Sequence, residues 1–442
     1  MRIQLSDHFT YRKLLRFTLP SIIMMVFTSV YGVVDGFFVS NFVGKTSFAA
    51  VNFIMPFLMM LGPIGFMFGT GGSALIAKTL GEGDRARANR LFTLFVYVTI
   101  AISAVLSLLG ILFIRPVAAL LGAEGAMLED CVTYGRILLL STPFLMLQFE
   151  FESFFVTAEK PQLGLWVSIA AGVTNIVLDA LLTAVFPCGL VGAAVATSVS
   201  QFIGGVIPLF YFARPNDSLL RFTKTSFDGR ALLRACTNGS SELMSSISMS
   251  IVSMLYNIQL LEYAGENGVA AYGVLMYVNL IFLSAFIGYS TGVAPVVSFH
   301  FGAGNTNELQ NLRRRSLTVI GICSVTMLGL AFVLAHPLSA IFVSYDKPLM
   351  ELTVRAFMIY SFSFLFAGIA IFGSSFFTAL NDGLTSALIS FLRTLVFQVA
   401  AVLFFPLLWG IDGIWISIVA AEAMAMVATV FFLLLKQKKY QY

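Results

Sequence analysis

Seven ionisable side chains lie inside long apolar stretches: Asp35, Glu150, Glu152, Asp179, Glu242, Arg393 and Glu422. A charged group at the centre of a membrane span costs about 3 kcal/mol on insertion scales, so each one calls for a chemical reason. Depth sorts them. Asp35 falls about six residues before the outer end of the first apolar run, Asp179 a similar distance before Pro187, and Thr197 about seven residues into the following run. At 1.5 Å per residue all three lie roughly 10 Å below the outer surface. Asn175 precedes Asp179 by one helical turn and shares its face. Two carboxylates, an amide and a hydroxyl offer mainly oxygen, which suits a hard monovalent cation or a proton shared between the acids. The alternative is separate acids, each bonded to a hydroxyl or a water for packing.

The other candidates sit nearer the cytoplasm. Glu150 and Glu152 are two residues apart, so on a helix they face different directions and cannot form one site together. These two and Glu242 are placed either to attract a cationic solute or to pair with Arg393 or with hydroxyls such as Ser240, Ser241 and Ser245. Glu422 reads as structural. Most of the 44 phenylalanines and 18 methionines face lipid or the core. A subset, Phe149, Met249, Met276 and Tyr277, is a candidate lining for an adaptable apolar cavity, because thioethers and aromatic faces accept many shapes and cations. The three histidines lie outside the apolar runs or at their ends, and the four cysteines lack metal-ligand or paired spacing, so no structural metal and no cofactor is expected.

The elements that must hold these residues follow from composition. Of 442 residues, 58% are hydrophobic and 11% charged, against about 25% charged in a soluble domain. Unbroken apolar runs of about twenty residues exceed what a barrel strand needs and match membrane helices. The chain therefore reads as an all-α polytopic membrane protein with twelve transmembrane helices, near 14–40, 47–77, 91–114, 134–158, 162–186, 190–212, 237–262, 269–299, 315–335, 354–380, 384–408 and 411–435. The second and eighth runs are too long for straight spans and carry Pro56, Pro63 and Pro295, which predicts kinks or tilt. No cleavable signal is visible, and the first helix is expected to act as the insertion signal. Only Lys45, Arg115, Arg136, Lys347 and Arg355 fall on one side of the membrane, whereas basic residues from Arg2 to Lys439 crowd the other by about four to one. Both termini are thereby placed in the cytoplasm. The same pattern accounts for the net charge of +4 without invoking nucleic acid.

The sequence also repeats itself. Gly44, Ala49 and Ala50 answer Gly265, Ala270 and Ala271; Thr70-Gly71 answers Thr291-Gly292; Gly81 and Gly83 answer Gly302 and Gly304; and Ser153-Phe154-Phe155 answers Ser375-Phe376-Phe377, all at an offset of about 221 residues. Two pseudo-symmetric six-helix lobes are expected, 1–212 and 236–442, joined by a basic cytoplasmic linker over 213–235. Parallel repeats of this kind are what carriers use to alternate access around a central cavity. With no histidine at depth and no nucleophile–base pair, an intramembrane enzyme is disfavoured.

In this order the motifs resemble the multidrug and toxic compound extrusion (MATE) transporters, whose superfamily also contains polysaccharide flippases. The resemblance rests on Asp35-Gly-Phe-Phe-Val-Ser, on Gly71-Gly-Ser-Ala leading to Gly81-Glu-Gly, and on Phe154-Phe155 followed by Glu159-Lys160-Pro161. In the second half it rests on Asn238-Gly-Ser-Ser-Glu242, Gly268-Val-Ala-Ala-Tyr272, Phe301-Gly-Ala-Gly-Asn305 and Phe376-Phe377 with Arg393. It implies export of small organic, often cationic, solutes across the cytoplasmic membrane, driven by sodium ions or protons, by a chain expected to act as a monomer. It also implies a cation site in the first lobe formed by Asp35, Asn175, Asp179 and Thr197. The first helix would then repack around Pro20. The repeat counterparts in the second lobe, Phe397 and Ala401, are apolar, so one such site is expected. A lipid-linked saccharide flippase is the alternative; it would want basic residues in the cavity, and only Arg393 is deep. One departure stands out: the usual Gly-Lys-Pro after the fourth helix reads Glu159-Lys160-Pro161, and its counterpart reads Asn381-Asp382-Gly383.

Overall fold

The computed structural model describes residues 3–442, without the side chains of Lys45 and Phe48. Arg2, counted above among the cytoplasmic basic residues, lies outside them, as does the side chain of Lys45. The described chain is helical from end to end: α1 (Tyr11–Phe42), α2 (Lys45–Met59), α3 (Gly62–Gly81), α4 (Arg85–Leu120), α5 (Gly125–Thr157), α6 (Pro161–Asp179), α7 (Gly189–Ala213), α8 (Gly229–Gly302), α9 (Thr306–Val343), α10 (Lys347–Ser361), α11 (Phe364–Ala379), α12 (Gly383–Phe391), α13 (Phe397–Trp409) and α14 (Ile411–Tyr440). Two π-helical turns, Ala180–Val185 and Leu392–Val396, continue α6 and join α12 to α13. The 74 residues of α8 would span roughly 110 Å if straight, far more than a bilayer. They reverse at Gly265, whose φ of 64° and ψ of −152° break the helix into two spans. The second predicted span breaks into α2 and α3 at Met60–Leu61. The tenth is broken too: α10 and α11 meet at 51°. Counting each broken pair once gives the expected twelve spans among the described residues.

The halves repeat in backbone as well as in sequence. Left-handed turn residues recur at matched places: Gly44 with Gly265, Gly83 with Gly304, Gly189 with Gly410, and Glu159 (φ 59°) with Asn381 (φ 57°). Helix caps recur likewise. Asp84 accepts the Arg87 N–H at 2.9 Å to start α4, and Asn305 accepts the Glu308 N–H at 3.1 Å to start α9. The left-handed conformation explains the departure from Gly-Lys-Pro. The position needs positive φ, which glycine supplies freely and which Glu159 and Asn381 hold here through their side chains. The Leu5 N–H donates to Glu159 Oε1 at 2.7 Å, and Asn238 Nδ2 donates to Asn381 Oδ1 at 2.7 Å.

The lobes meet along their cytoplasmic halves. A side chain on Gly71 would run into the carbonyl of Ala235, one on Gly239 into that of Met67, one on Gly81 into that of Phe299, and one on Gly302 into that of Lys78. Gly288 and Gly292 lie against the backbone of Ser21–Ile22 and Thr18 in α1. Small residues thus let α3 and α1 approach α8 backbone to backbone, as in tightly packed membrane helices. Every such approach between lobes falls in the inner half of the membrane, so the molecule is closed toward the cytoplasm. Asn381 Nδ2 adds a bond across the seam to the Ala74 carbonyl at 3.3 Å.

Beneath the seam runs the segment before α1. Leu5 and Phe9 are fully buried, the Phe9 N–H donates to Glu308 Oε1 at 3.0 Å, and Asn311 Nδ2 donates to the Phe9 carbonyl at 2.9 Å. The inter-lobe connection is also tied down. Between α7 and α8, the Arg221 and Thr223 N–H groups donate to Asn89 Oδ1 and Thr93 Oγ1, each at 3.0 Å, and the Thr225 hydroxyl donates to the Arg90 carbonyl at 2.9 Å. At the other end of the chain, Tyr440 Oη donates to Asp382 Oδ2 at 2.8 Å, with Lys436 Nζ at 3.4 Å. Burial alone would raise the Asp382 carboxyl. The hydrogen bonds from Tyr440 and Thr385, with the Lys436 charge, hold it below the usual carboxylate range.

Candidate functional site

Three helices carry the polar quartet. Asp35 stands near the outer end of α1, Asn175 and Asp179 one turn apart at the end of α6, and Thr197 in α7. The structure brings all four together inside the first lobe. Thr197 Oγ1 lies 3.4 Å from Asp35 Oδ1, and the Asp35 carboxyl also faces Asp179 and Asn175. Asp179 is 0% and Asn175 2% exposed. Both oxygens of Asp179 are shut away without a strict hydrogen-bond partner, an arrangement that is costly for an ionised carboxylate with nothing bound. The α-helix gives way to a π turn directly after Asp179, and the Thr183 hydroxyl caps the Asp179 carbonyl at 2.5 Å. That turn widens the helix beside the acids; π turns recur at functional sites.

Two tyrosines that the sequence reading passed over join this cluster. Tyr134 of α5 is buried in the field of Asp35 and Asp179. Tyr31 lies one turn inward of Asp35 on α1, against Gln148 and Thr28, within reach of the charges of Asp35 and Glu152. A tyrosine in an apolar run gives no signal of its own; its place one turn from Asp35 is the mark that could have found it.

The candidates for the solute cavity are scattered. Glu150 and Glu152 are buried inside the first lobe, 0% and 3% exposed, with all four carboxylate oxygens lacking partners. They diverge as their spacing requires, and Glu150 neighbours Thr99 of α4. Phe149 is half-buried and stacks on Phe66 at 4.4 Å. Glu242 and Met276 are half-buried, Met249 is 54% exposed, and Tyr277, 49% exposed, stacks on Phe342 of α9. Pro20 is buried within α1, which runs unbroken through it. In the second lobe Arg393, inside the second π turn, and Glu422 form a two-pronged ion pair at 2.9 and 3.0 Å. The repeat counterparts of that pair, Ala171 and Ser200, are joined instead by a hydroxyl-to-carbonyl bond of 2.7 Å.

Two tandem matches settle the family: the MatE family model fits residues 20–181 and again residues 243–404. The chain belongs to the MatE family. A relative in Staphylococcus aureus (strain NCTC 8325 / PS 47), the multidrug export protein MepA, is 24% identical over 435 residues, which cover 97% of this chain and 94% of MepA. Among solved structures, a MATE crystallised in complex with MaL6 superposes with a TM-score of 0.93 at 20% identity, covering 98% of both chains. An outward-facing multidrug resistance MATE transporter of the MOP superfamily superposes with a TM-score of 0.90 at 21% identity, covering 98% of this chain and 97% of that one. At these identities the structures speak for the fold, twelve spans in two six-helix bundles. As a MatE protein the chain is a multi-pass transporter of the cell membrane and not an enzyme.

Proposed function

We propose that this MatE protein exports small organic compounds, often cationic, from the cytoplasm in exchange for an inward-moving sodium ion or proton, by alternating access between lobes 1–212 and 236–442 joined by the segment 213–235. MepA, named a multidrug export protein and similar along almost the whole chain, supports the solute class. The observation that carries the coupling is the cluster of Asp35, Asn175, Asp179 and Thr197, where a buried carboxylate without partners meets a second carboxylate, an amide and a hydroxyl. Two acids that close cannot both be ionised cheaply in a dry site. A sodium ion or a proton between them relieves the repulsion, and the oxygen-rich donor set fits either.

The closed inner seam supports loading of the coupling ion from outside. With the lobes apart on the outside, the coupling ion reaches Asp35 and Asp179 from the side where it is abundant, and solute leaves by the same opening. Solute and ion must favour opposite states for exchange to be tight. A flippase for lipid-linked saccharides is the weaker reading, because the one basic residue deep in a span, Arg393, is already neutralised by Glu422.

The test is efflux of a fluorescent organic cation from liposomes of defined protein orientation, with a sodium gradient and a pH gradient imposed separately. Either gradient should drive transport. Asp35→Asn and Asp179→Asn should each lower it at least about tenfold, within the range of ordinary coupling free energies, while leaving insertion intact. Unchanged gradient-driven efflux in normally inserted Asp35→Asn protein would overturn the site.

A further inference from the structure

Three arginines that have no part in the coupling cluster converge on one cavity at the cytoplasmic end of the molecule. The cavity encloses about 350 Å³ and is lined by Arg87 of α4, by Arg230, Ala231 and Arg234 of α8 with the preceding Asp228, and by Leu75 of α3. Arg87 is the third residue of α4, and Arg230 and Arg234 are the second and sixth of α8. By helical rise all three lie within about 8 Å of the inner helix ends, the level of lipid headgroups. Arg230 and Arg234 are one turn apart and share a face.

Orientation in the membrane does not account for this arrangement. The excess of positive charge inside asks only that bases lie on the cytoplasmic side. It does not ask that guanidiniums more than 140 residues apart in the chain line the same space. Neighbouring bases are used differently: Arg85 donates to the carbonyls of Ser218 and Leu219 at 3.0 and 3.3 Å, and Lys160 pairs with Asp217 at 2.8 Å. Among the described residues, the guanidiniums of Arg87, Arg230 and Arg234 neither pair with a carboxylate nor donate a hydrogen bond. The one carboxylate in the lining is turned to the backbone, since Asp228 Oδ1 accepts from the Arg230 and Ala231 N–H groups, both at 3.1 Å. The start of α8 is thus already capped by the chain itself, and binding power rests with the three guanidiniums. Like charges gathered this closely repel, and an anion between them relieves the cost.

The surroundings say what kind of anion. Phe227 and Leu233, next to the lining residues in the chain, are 80% and 68% exposed, and the floor residues Leu75 and Ala231 are buried. Large apolar side chains beside a basic cavity belong at the boundary between headgroups and acyl chains, not in free cytoplasmic solvent. A guanidinium fork matches a phosphate through two parallel bonds. We propose that this cavity binds the phosphodiester of an anionic phospholipid from the inner leaflet, held by Arg87, Arg230 and Arg234, with Phe227 and Leu233 among its acyl chains. Arg87 comes from the first lobe and α8 leads into the second, and the carbonyl of Ala235, one turn beyond Ala231, packs on Gly71 at the seam. A bound headgroup therefore bridges α4 and α8 beside the contact that closes the inner side. The site goes beyond the export reading and does not depend on it.

The experiment follows the thermal midpoint of the full-length protein in detergent during titration with dioleoylphosphatidylglycerol, against dioleoylphosphatidylcholine and sn-glycerol 3-phosphate. Phosphatidylglycerol should raise the midpoint saturably, and the other two should not. Arg87→Gln, Arg230→Gln and Arg234→Gln together should weaken the apparent affinity at least about tenfold, since each arginine near an anionic lipid surface is worth roughly fivefold. The same loss of charge elsewhere on the inner face, Arg12→Gln, Arg314→Gln and Lys438→Gln together, all at exposed positions, should stay within about twofold. If the first triple variant does not insert, Arg234→Gln alone decides: weakening by about threefold or more supports the site, and no change overturns it. Equal weakening in both triple variants reduces the effect to general surface charge and overturns the site, as does unchanged affinity in the first. Equal stabilisation by sn-glycerol 3-phosphate makes the ligand a soluble phosphate and overturns the lipid. A wild-type protein indifferent to phosphatidylglycerol overturns the proposal outright.

Discussion

Asn381 shows how much one side chain can do at the seam. Its backbone is left-handed, its carbonyl oxygen Oδ1 accepts from Asn238 at 2.7 Å, and its amide reaches Ala74 of the other lobe at 3.3 Å. Asparagine tolerates positive φ better than other non-glycine residues because its short polar side chain bonds locally. Asn381→Ala removes both bonds while keeping the strained backbone, and should cost about 2 kcal/mol, seen as a lower thermal midpoint in detergent. Asn381→Gly, which relieves the strain, should cost less. At this scale the polar quartet was legible in the sequence, because an acid inside a span is expensive enough to be noticed and depth follows from residue count. Tyr134 was not, since tyrosines are common in apolar runs and only the fold sets it beside these acids; Tyr31 and Gln148 carried only the weak mark of standing one turn from Asp35 and Glu152. Nor did the sequence reveal that Glu159 and Asn381 replace glycine by bonding their own surroundings.

Among the elements, α3 and α8 form the contact on which closure depends. Gly81 and Gly302 sit where any side chain would strike a carbonyl of the opposite lobe. Gly81→Val should therefore push the inner ends apart and bias the protein toward an inward-open state. Cysteines introduced along the inner half of α8 should then label faster from the cytoplasmic side, by about tenfold if the substitution shifts the balance by about 1.4 kcal/mol. Unchanged labelling would mean that the seam absorbs the strain elsewhere. The twelve runs themselves were plain in the sequence, since hydropathy over about twenty residues admits little else. Their breaks were less so. The division of α2 from α3 falls between Pro56 and Pro63, as proline chemistry allows, whereas α8 passes through Pro295 and remains helical. The 51° bend between α10 and α11 has neither proline nor glycine at it, only Ser361-Phe362-Ser363, and serines near a bend are too common to predict one. The π turn after Asp179 left no trace in the sequence either.

Taken whole, the molecule is two bundles held by a seam, a strap before α1 and a linker that belongs to one side. Because residues 221–225 are bonded to α4, the linker is part of the first lobe's surface up to Thr225. A cut between Thr225 and Ser226 should accordingly yield two chains that assemble when produced together, retrieved by a tag on either one, and that recover gradient-driven efflux. Failure to co-purify would show that the covalent link does more than hold the lobes in one membrane. The seam has a further implication. Gly81 meets Phe299, and Gly302 meets Lys78: each position touches the counterpart of its own neighbour, the contact that two identical subunits make across a two-fold axis. An ancestor of half this length could have closed the same door as a homodimer, with both copies inserted in one orientation, and every mutation at that axis would have been felt twice. A single chain is free of that constraint. One half carries Asp35 and Asp179 while the other has Phe397 and Ala401 at the matching positions.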